Sequence, residues 1–148
     1  MVDFSSILDK GFGQAKKPKV LPAADYPAVI TGWQPIEAPK DKEYKVIVRF
    51  SVKLLDWPAG TDPADQLEED GTQIDLGKRK LRRDYYDNRL FDLDQLFIDA
   101  GVDIEEGTSY RESLPMLVGA QVLAEVTQYV NQRSGELGNQ INNLRGLG

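Results

Sequence analysis

An alternation of apolar and polar side chains over residues 44–55 constrains the fold of this chain more than any other feature. Successive side chains of a β-strand point to opposite faces of a sheet, so this pattern predicts one long strand with one buried face. The even-numbered positions are apolar, and the odd-numbered positions include Lys45, Arg49 and Lys53. The segment therefore predicts a sheet with an apolar inner face and a basic outer face.

Four other segments are rich in β-branched or aromatic residues, or are bounded by turn residues, and each predicts a strand. Pro35 and Pro39 are expected to interrupt the chain after the first strand. Gly135 lies in a turn-rich connection that predicts a hairpin between the last two. The five predicted strands span residues 25–33, 44–55, 78–86, 120–129 and 139–145.

Residues 88–100 change to the spacing of an amphipathic helix, with Leu93 and Phe97 on its apolar face. Asp92 is the expected N-cap, and Gly101 is expected to end the helix. The predicted order is therefore three strands, one helix and two strands.

This order is that of an OB-fold, a small Greek-key barrel. We expect a mainly β protein, with a five-stranded OB-fold barrel and a helix between strands 3 and 4. Glycines and prolines predict an extended N-terminal arm over residues 1–23. The OB-fold domain is expected to span 24–148, with an insertion at 56–77.

The insertion at 56–77 contains seven acidic side chains and no basic ones. It is longer than the typical connection of about 4–6 residues, which indicates a functional loop or a mobile insertion. Its carboxylates lack the fixed spacing of an EF-hand, so no metal site is predicted. A metal site remains conceivable, with Asp62, Asp65, Glu68, Glu69 and Asp70 as its ligands.

Residues 78–83 carry five cations in a chain of net charge −6. Cations beside aromatic rings are typical of surfaces that bind single-stranded nucleic acid, because the cations meet phosphates and the rings stack on bases. In an OB-fold this surface is the face of strands 2 and 3 and the loops after strands 1 and 4. Trp33 and Trp57, beside prolines at strand ends, are as compatible with core packing as with stacking. The candidate nucleic-acid-binding residues are Lys45, Arg49, Lys53, Lys78, Lys80, Arg82, Arg83, Tyr86, Trp33, Trp57 and Arg133.

The composition excludes several chemistries. The chain contains no cysteine and no histidine, so it has no thiol nucleophile, no disulfide and none of the commonest general bases or zinc ligands. We therefore expect no enzyme activity and no cofactor. No apolar run is long enough to cross a bilayer, so no membrane partner is expected.

The chain resembles single-stranded DNA-binding proteins of OB-fold type from bacteriophage replication modules. The resemblance rests on four segments: 3–8 (DFSSIL), 17–22 (KPKVLP), 118–127 (VGAQVLAEVT) and 139–143 (NQINN). It implies sequence-independent binding of single-stranded DNA (ssDNA) during phage replication or recombination, in the host cytoplasm and beside other phage replication proteins. Many such proteins end in an acidic tail that recruits partners, whereas this chain ends without one.

Two alternatives remain open on the sequence. A phage structural or adaptor protein would act through protein contacts of the acidic insertion and the arm. A nuclease-like enzyme would use clustered carboxylates and Mg²⁺, although no acidic motif has suitable spacing with a catalytic lysine.

Overall fold

The fold is built on one antiparallel sheet of five strands in the order β3-β2-β1-β4-β5. The computed structural model describes residues 18–147. A mainly β chain of five strands was predicted from the sequence, and this is confirmed. The strands are β1 (Ala24–Glu37), β2 (Val46–Leu54), β3 (Leu81–Tyr86), β4 (Gln121–Val130) and β5 (Leu137–Arg145).

Strand β1 runs four residues past its predicted end and includes Pro35. Pro35 lies opposite Val48 of β2, whereas the pairing of β1 with β4 ends at Val29. A proline costs no ladder hydrogen bond where its strand has a free edge, which explains why it does not interrupt β1. A bulge at Thr31 separates the two parts of the strand.

The inner face of the sheet forms the hydrophobic core. On β2 the predicted alternation is present in its second half, where Phe50, Val52 and Leu54 are buried. The ring of Phe50 meets that of Tyr85 on β3 edge-on, with 5.6 Å between the ring centroids. In the first half the predicted faces are wrong: Ile47 is buried, and Val46, predicted to face the core, is 39% exposed.

Helix α1 (Leu90–Asp99) covers one end of this core with Leu93, Leu96 and Phe97. Asp92 is not the N-cap: Arg89 holds that position without a side-chain cap, and Asp92 forms an ion pair with it at 3.0 Å. Gly101 adopts φ +73° and ends the helix as predicted. A four-residue helix, α2 (Tyr110–Ser113), follows before β4.

The acidic insertion is folded onto the body of the protein. Ile74 and Leu76 are buried in the core, and Glu68 accepts hydrogen bonds from the Lys19 backbone amide and the Arg79 guanidinium. A 3₁₀ turn forms within it at Pro63–Gln66, capped by the Asp62 side chain. The insertion therefore has fixed contacts with its surroundings.

Residues 18–22 also pack against the body. Leu21 is fully buried, its amide donates to Asn139 Oδ1 at 2.7 Å, and its carbonyl accepts from Gln128 Nε2 at 2.9 Å. This part of the predicted arm thus crosses β4 and β5. Residues 1–17 of the arm lie outside the described residues.

The edge strands β3 and β5 lie close to each other, so the sheet curls. No hydrogen-bonded ladder joins them in the described part of the chain, and the sheet is open at this seam. Over the same residues, no helix is long and apolar enough to cross a membrane.

Candidate nucleic-acid interface

A groove of about 770 Å³ lies on the outer side of the curled sheet. We call it the β3–β5 groove because these two strands form its opposite walls. β1 and β2 supply its floor, and β4 contributes Tyr129 from the turn end of the β4–β5 hairpin. Its lining consists of Gln34, Arg49, Ser51, Lys80, Leu81, Arg82, Arg83, Asp84, Tyr86, Tyr129, Asn139, Gln140, Ile141 and Asn142.

Four cations and a single carboxylate line the groove. Lys80 and Arg82 are exposed, and neither has an ion-pair partner among residues 18–147. Leu81 and Tyr85 face the core. Lys80 and Arg82 have the opposite parity along the chain, so both lie on the outer face of the sheet. Two unpaired cations in a wide cleft make this surface attractive to a polyanion.

Arg49 is paired inside the groove. The register of β2 and β3 places it opposite Asp84, and two parallel hydrogen bonds of 2.9 and 3.1 Å join the guanidinium to the carboxylate. The hydrogen bond that Arg49 donates to Asp84 raises the pKa of Arg49 above its usual value. Asp84 thus offsets one of the four cations and positions the Arg49 head group over the floor.

Arg83 lies at the seam between β3 and β5. Its guanidinium carbon is 4.7 Å from the centroid of the Tyr85 ring, a cation–π arrangement. Its Nη1 donates to the Asp84 carbonyl at 3.2 Å, whereas Nε is buried and has no partner within residues 18–147. Arg83 lines the groove from this seam.

Two tyrosine rings border the groove. Tyr86 packs against Tyr44, with 4.4 Å between the ring centroids. Tyr129 is 43% exposed and lies across Gly138, its partner on β5. A Cβ on Gly138 would lie 2.7 Å from Cζ of the Tyr129 ring, closer than real contacts allow. The glycine therefore permits the ring to lie flat on the hairpin.

Amide side chains form the β5 wall. Gln140 and Asn142 are exposed, and both line the groove. Asn142 Oδ1 accepts a hydrogen bond from the Thr127 hydroxyl at 3.2 Å. Neither amide was among the residues predicted from the sequence, although two polar residues two positions apart on a predicted strand were a usable signal.

Five of the eleven predicted residues come together in the groove: Arg49, Lys80, Arg82, Arg83 and Tyr86. The other six lie outside its lining: Lys45, Lys53, Lys78, Trp33, Trp57 and Arg133.

Among the cations outside the groove, Lys78 is in a 3₁₀ turn and lies 3.9 Å from Asp75. Lys53 is exposed, and its aliphatic chain lies against Gly77. Lys45 is exposed just before β2, and Arg133 is exposed in the loop after β4. None of these four cations is part of the groove lining.

The two tryptophans pack against the core. Trp33 is partly buried and faces Phe50 across β1 and β2. Trp57 is partly buried, with its ring 5.9 Å from that of Tyr26. Burial raises the pKa of Tyr26 to about 12, with a smaller contribution from Asp65.

The five cations of residues 78–83 do not all contribute to the groove. Arg79 follows the 3₁₀ turn that precedes β3, and it pairs with Glu68 of the acidic insertion at 2.8 Å. The insertion therefore offsets part of the cationic segment that follows it. Within residues 18–147, no three potential metal ligands come together, so the insertion's carboxylates form no metal centre there.

Comparisons with known proteins add little to this geometry. No protein-family model and no curated protein sequence matches the chain. Among solved structures, the chain is similar to one titled "Yeast RPA bound to ssDNA", at 13% identity and a TM-score of 0.33. The match covers all of this chain and 88% of that one. A TM-score this low establishes neither fold nor function, so the assignment rests on the groove itself.

Proposed function

We propose that this protein binds single-stranded DNA in the β3–β5 groove, without sequence specificity and without catalysis. The groove itself carries the proposal: unpaired cations on one wall, amides on the other and two tyrosine rings at its borders. Phosphates are recognised by charge in any sequence, and every base has a π face that can stack.

Each part of the lining has a role in this proposal. Lys80 and Arg82 contact consecutive phosphates, and Arg83 donates from the seam. Tyr86 and Tyr129 stack on bases, and each stacked base contributes roughly 1–3 kcal/mol. The amides of Gln140 and Asn142 accept or donate hydrogen bonds along the opposite wall, which suits any base edge.

The architecture supports an OB-type barrel as the finer description of the fold. The helix lies between β3 and β4, and the sheet curls until β3 and β5 are neighbours. In OB-folds the ligand crosses the face of strands 2 and 3. The groove lies against that face here, and we propose that the DNA crosses β2 and β3.

The biological setting follows from the sequence resemblance alone. We propose a role in phage DNA replication or recombination, in the host cytoplasm, in which the protein coats and protects single strands. Phage replication proteins are its proposed partners in that role.

The test compares charge reversals inside and outside the groove. Lys80→Glu with Arg82→Glu should abolish binding of a labelled oligo-dT strand in fluorescence anisotropy. Arg89→Glu with Arg111→Glu, an identical change in net charge on exposed residues outside the groove, is the matched control. For the natural protein, a plot of log affinity against log salt concentration should have a slope of about −0.7 for each phosphate contacted. Equal binding by both double variants would reject the groove as the site.

A further inference from the structure

Helix α1 has a second apolar side that the core does not use. Phe91 is 78% exposed and Ile98 is 70% exposed, whereas Leu93, Leu96 and Phe97 are buried. Seven residues make almost two helical turns, so Phe91 and Ile98 lie on one side of the helix, roughly 10 Å apart. Large apolar side chains exposed together on one surface mark interaction sites.

Ile98 forms one edge of a cleft of about 450 Å³ between α1 and the loop that follows it. We call this the α1 cleft. Its floor is apolar: Phe97 is buried, and Val102 and Ile104 are partly buried against the core. The ring of Tyr110 completes the lining, and its hydroxyl donates to Asp94 Oδ1 at 2.6 Å.

The rim of the α1 cleft is acidic. Asp94, Asp103, Glu105 and Glu106 line it, and no lysine or arginine does. Asp103, Glu105 and Glu106 form no ion pair with any residue between 18 and 147. An apolar floor within a carboxylate rim is complementary to an apolar side chain with cationic neighbours.

We propose that the α1 cleft docks a polypeptide segment of a partner protein, in which an aliphatic or aromatic residue is flanked by lysines or arginines. The apolar residue enters the cleft beside Ile98, the cations meet the carboxylates, and the segment continues along α1 to Phe91. The rim repels phosphates, so this surface is separate from the β3–β5 groove. The proposal goes beyond DNA binding and does not depend on it.

The test uses the full chain and a fluorescein-labelled synthetic peptide in which leucine and phenylalanine are flanked by lysines. Ile98→Ser should weaken binding about tenfold, because the side chain loses most of its burial against the peptide. Glu105→Gln with Glu106→Gln should weaken it severalfold at low salt and less at high salt. A peptide with serine in place of both apolar residues should bind no better to the natural protein than to the Ile98→Ser variant.

Matched controls separate docking from general attraction to an acidic protein. Leu55→Ser removes another exposed aliphatic side chain, and Glu43→Gln with Glu69→Gln removes two exposed carboxylates elsewhere. Neither control should change peptide affinity, and Ile98→Ser should leave oligo-dT binding and the melting temperature unchanged. Equal losses in the control and cleft variants would overturn the proposal. Sedimentation showing Ile98-dependent self-association without peptide binding would also overturn it, since the occupant would then be a second copy.

Discussion

Replacing Asp84 by asparagine should strengthen DNA binding and weaken the fold. Asp84 is the carboxylate of the β3–β5 groove, and it binds the Arg49 guanidinium through both oxygens. Asparagine has nearly the same shape and keeps one acceptor, so the change removes charge with little change in packing. The two consequences can be measured separately.

The gain in affinity follows from Coulomb's law. A phosphate about 6 Å from Asp84 is repelled by about 0.7 kcal/mol at the dielectric constant of water and by about twice that at half this value. Removing the charge should therefore tighten oligo-dT binding by about 3–10-fold. Arg49 also gains freedom to turn toward a phosphate.

The loss in stability comes from the ion pair. The side chains of Arg49 and Asp84 are 22% and 19% exposed, so the pair is partly shielded from water, and its geometry is bidentate. Its loss should lower the free energy of unfolding by about 1–2 kcal/mol, more than is typical of a surface pair. In a domain of this size that lowers the melting temperature by about 2–8 °C.

Asp75→Asn is the matched control, since its pair with Lys78 is 3.9 Å long and its side chain is 61% exposed. It should change neither quantity appreciably. Anisotropy with oligo-dT at two salt concentrations gives the affinity, and thermal unfolding followed by circular dichroism gives the stability. Weaker binding by Asp84→Asn, or binding equal to that of the control, would refute the reasoning about charge in the groove.

Three other changes test separate parts of the structure. Gly138→Ala should lower oligo-dT affinity severalfold, because the new methyl group displaces the Tyr129 ring. Adding Tyr129→Ala should cause no further loss of affinity, and additive losses would show that the two residues act independently. Gly146→Ala should reduce the free energy of unfolding by about 1–3 kcal/mol in urea titrations, because its Cβ would lie 2.7 Å from the Asp99 carbonyl oxygen, and unchanged stability would contradict this contact. Burial raises the pKa of Tyr85 to about 12, so the unfolded chain loses this proton at lower pH than the folded one. Stability should therefore fall between about pH 10 and 12, and less so in Tyr85→Phe, as measured by urea unfolding across that range.

The main elements of the fold were predictable from local patterns. The alternation in residues 44–55 identified the long strand, because side-chain period is a property of the strand itself. The apolar spacing around Leu93 and Phe97 identified the helix for the same reason. The failure at Pro35 has a non-local cause: whether a proline interrupts a strand depends on which of its edges carries a neighbour.

The candidate site was predictable only in part. Lys80, Arg82 and Tyr86 share one parity on a predicted strand, so their common face could be read from the chain. Asp84 has the same parity and lies in the same face, but it was not among the predicted residues. The pairing of Arg79 with Glu68 could not be read, because it joins residues from two loops whose approach is set by packing.

The sequence by itself determined that the chain forms five strands with a helix between the third and the fourth, and that the exposed face of β3 is basic. Only the tertiary structure decided what stands opposite that basic face. Register placed Asp84 beside Arg49, and the curl of the sheet brought β5, with Gln140 and Asn142, to form the second wall. The physical reason is that periodicity fixes the direction of a side chain relative to its own strand. Its neighbours depend on strand order and register, which the whole core determines together.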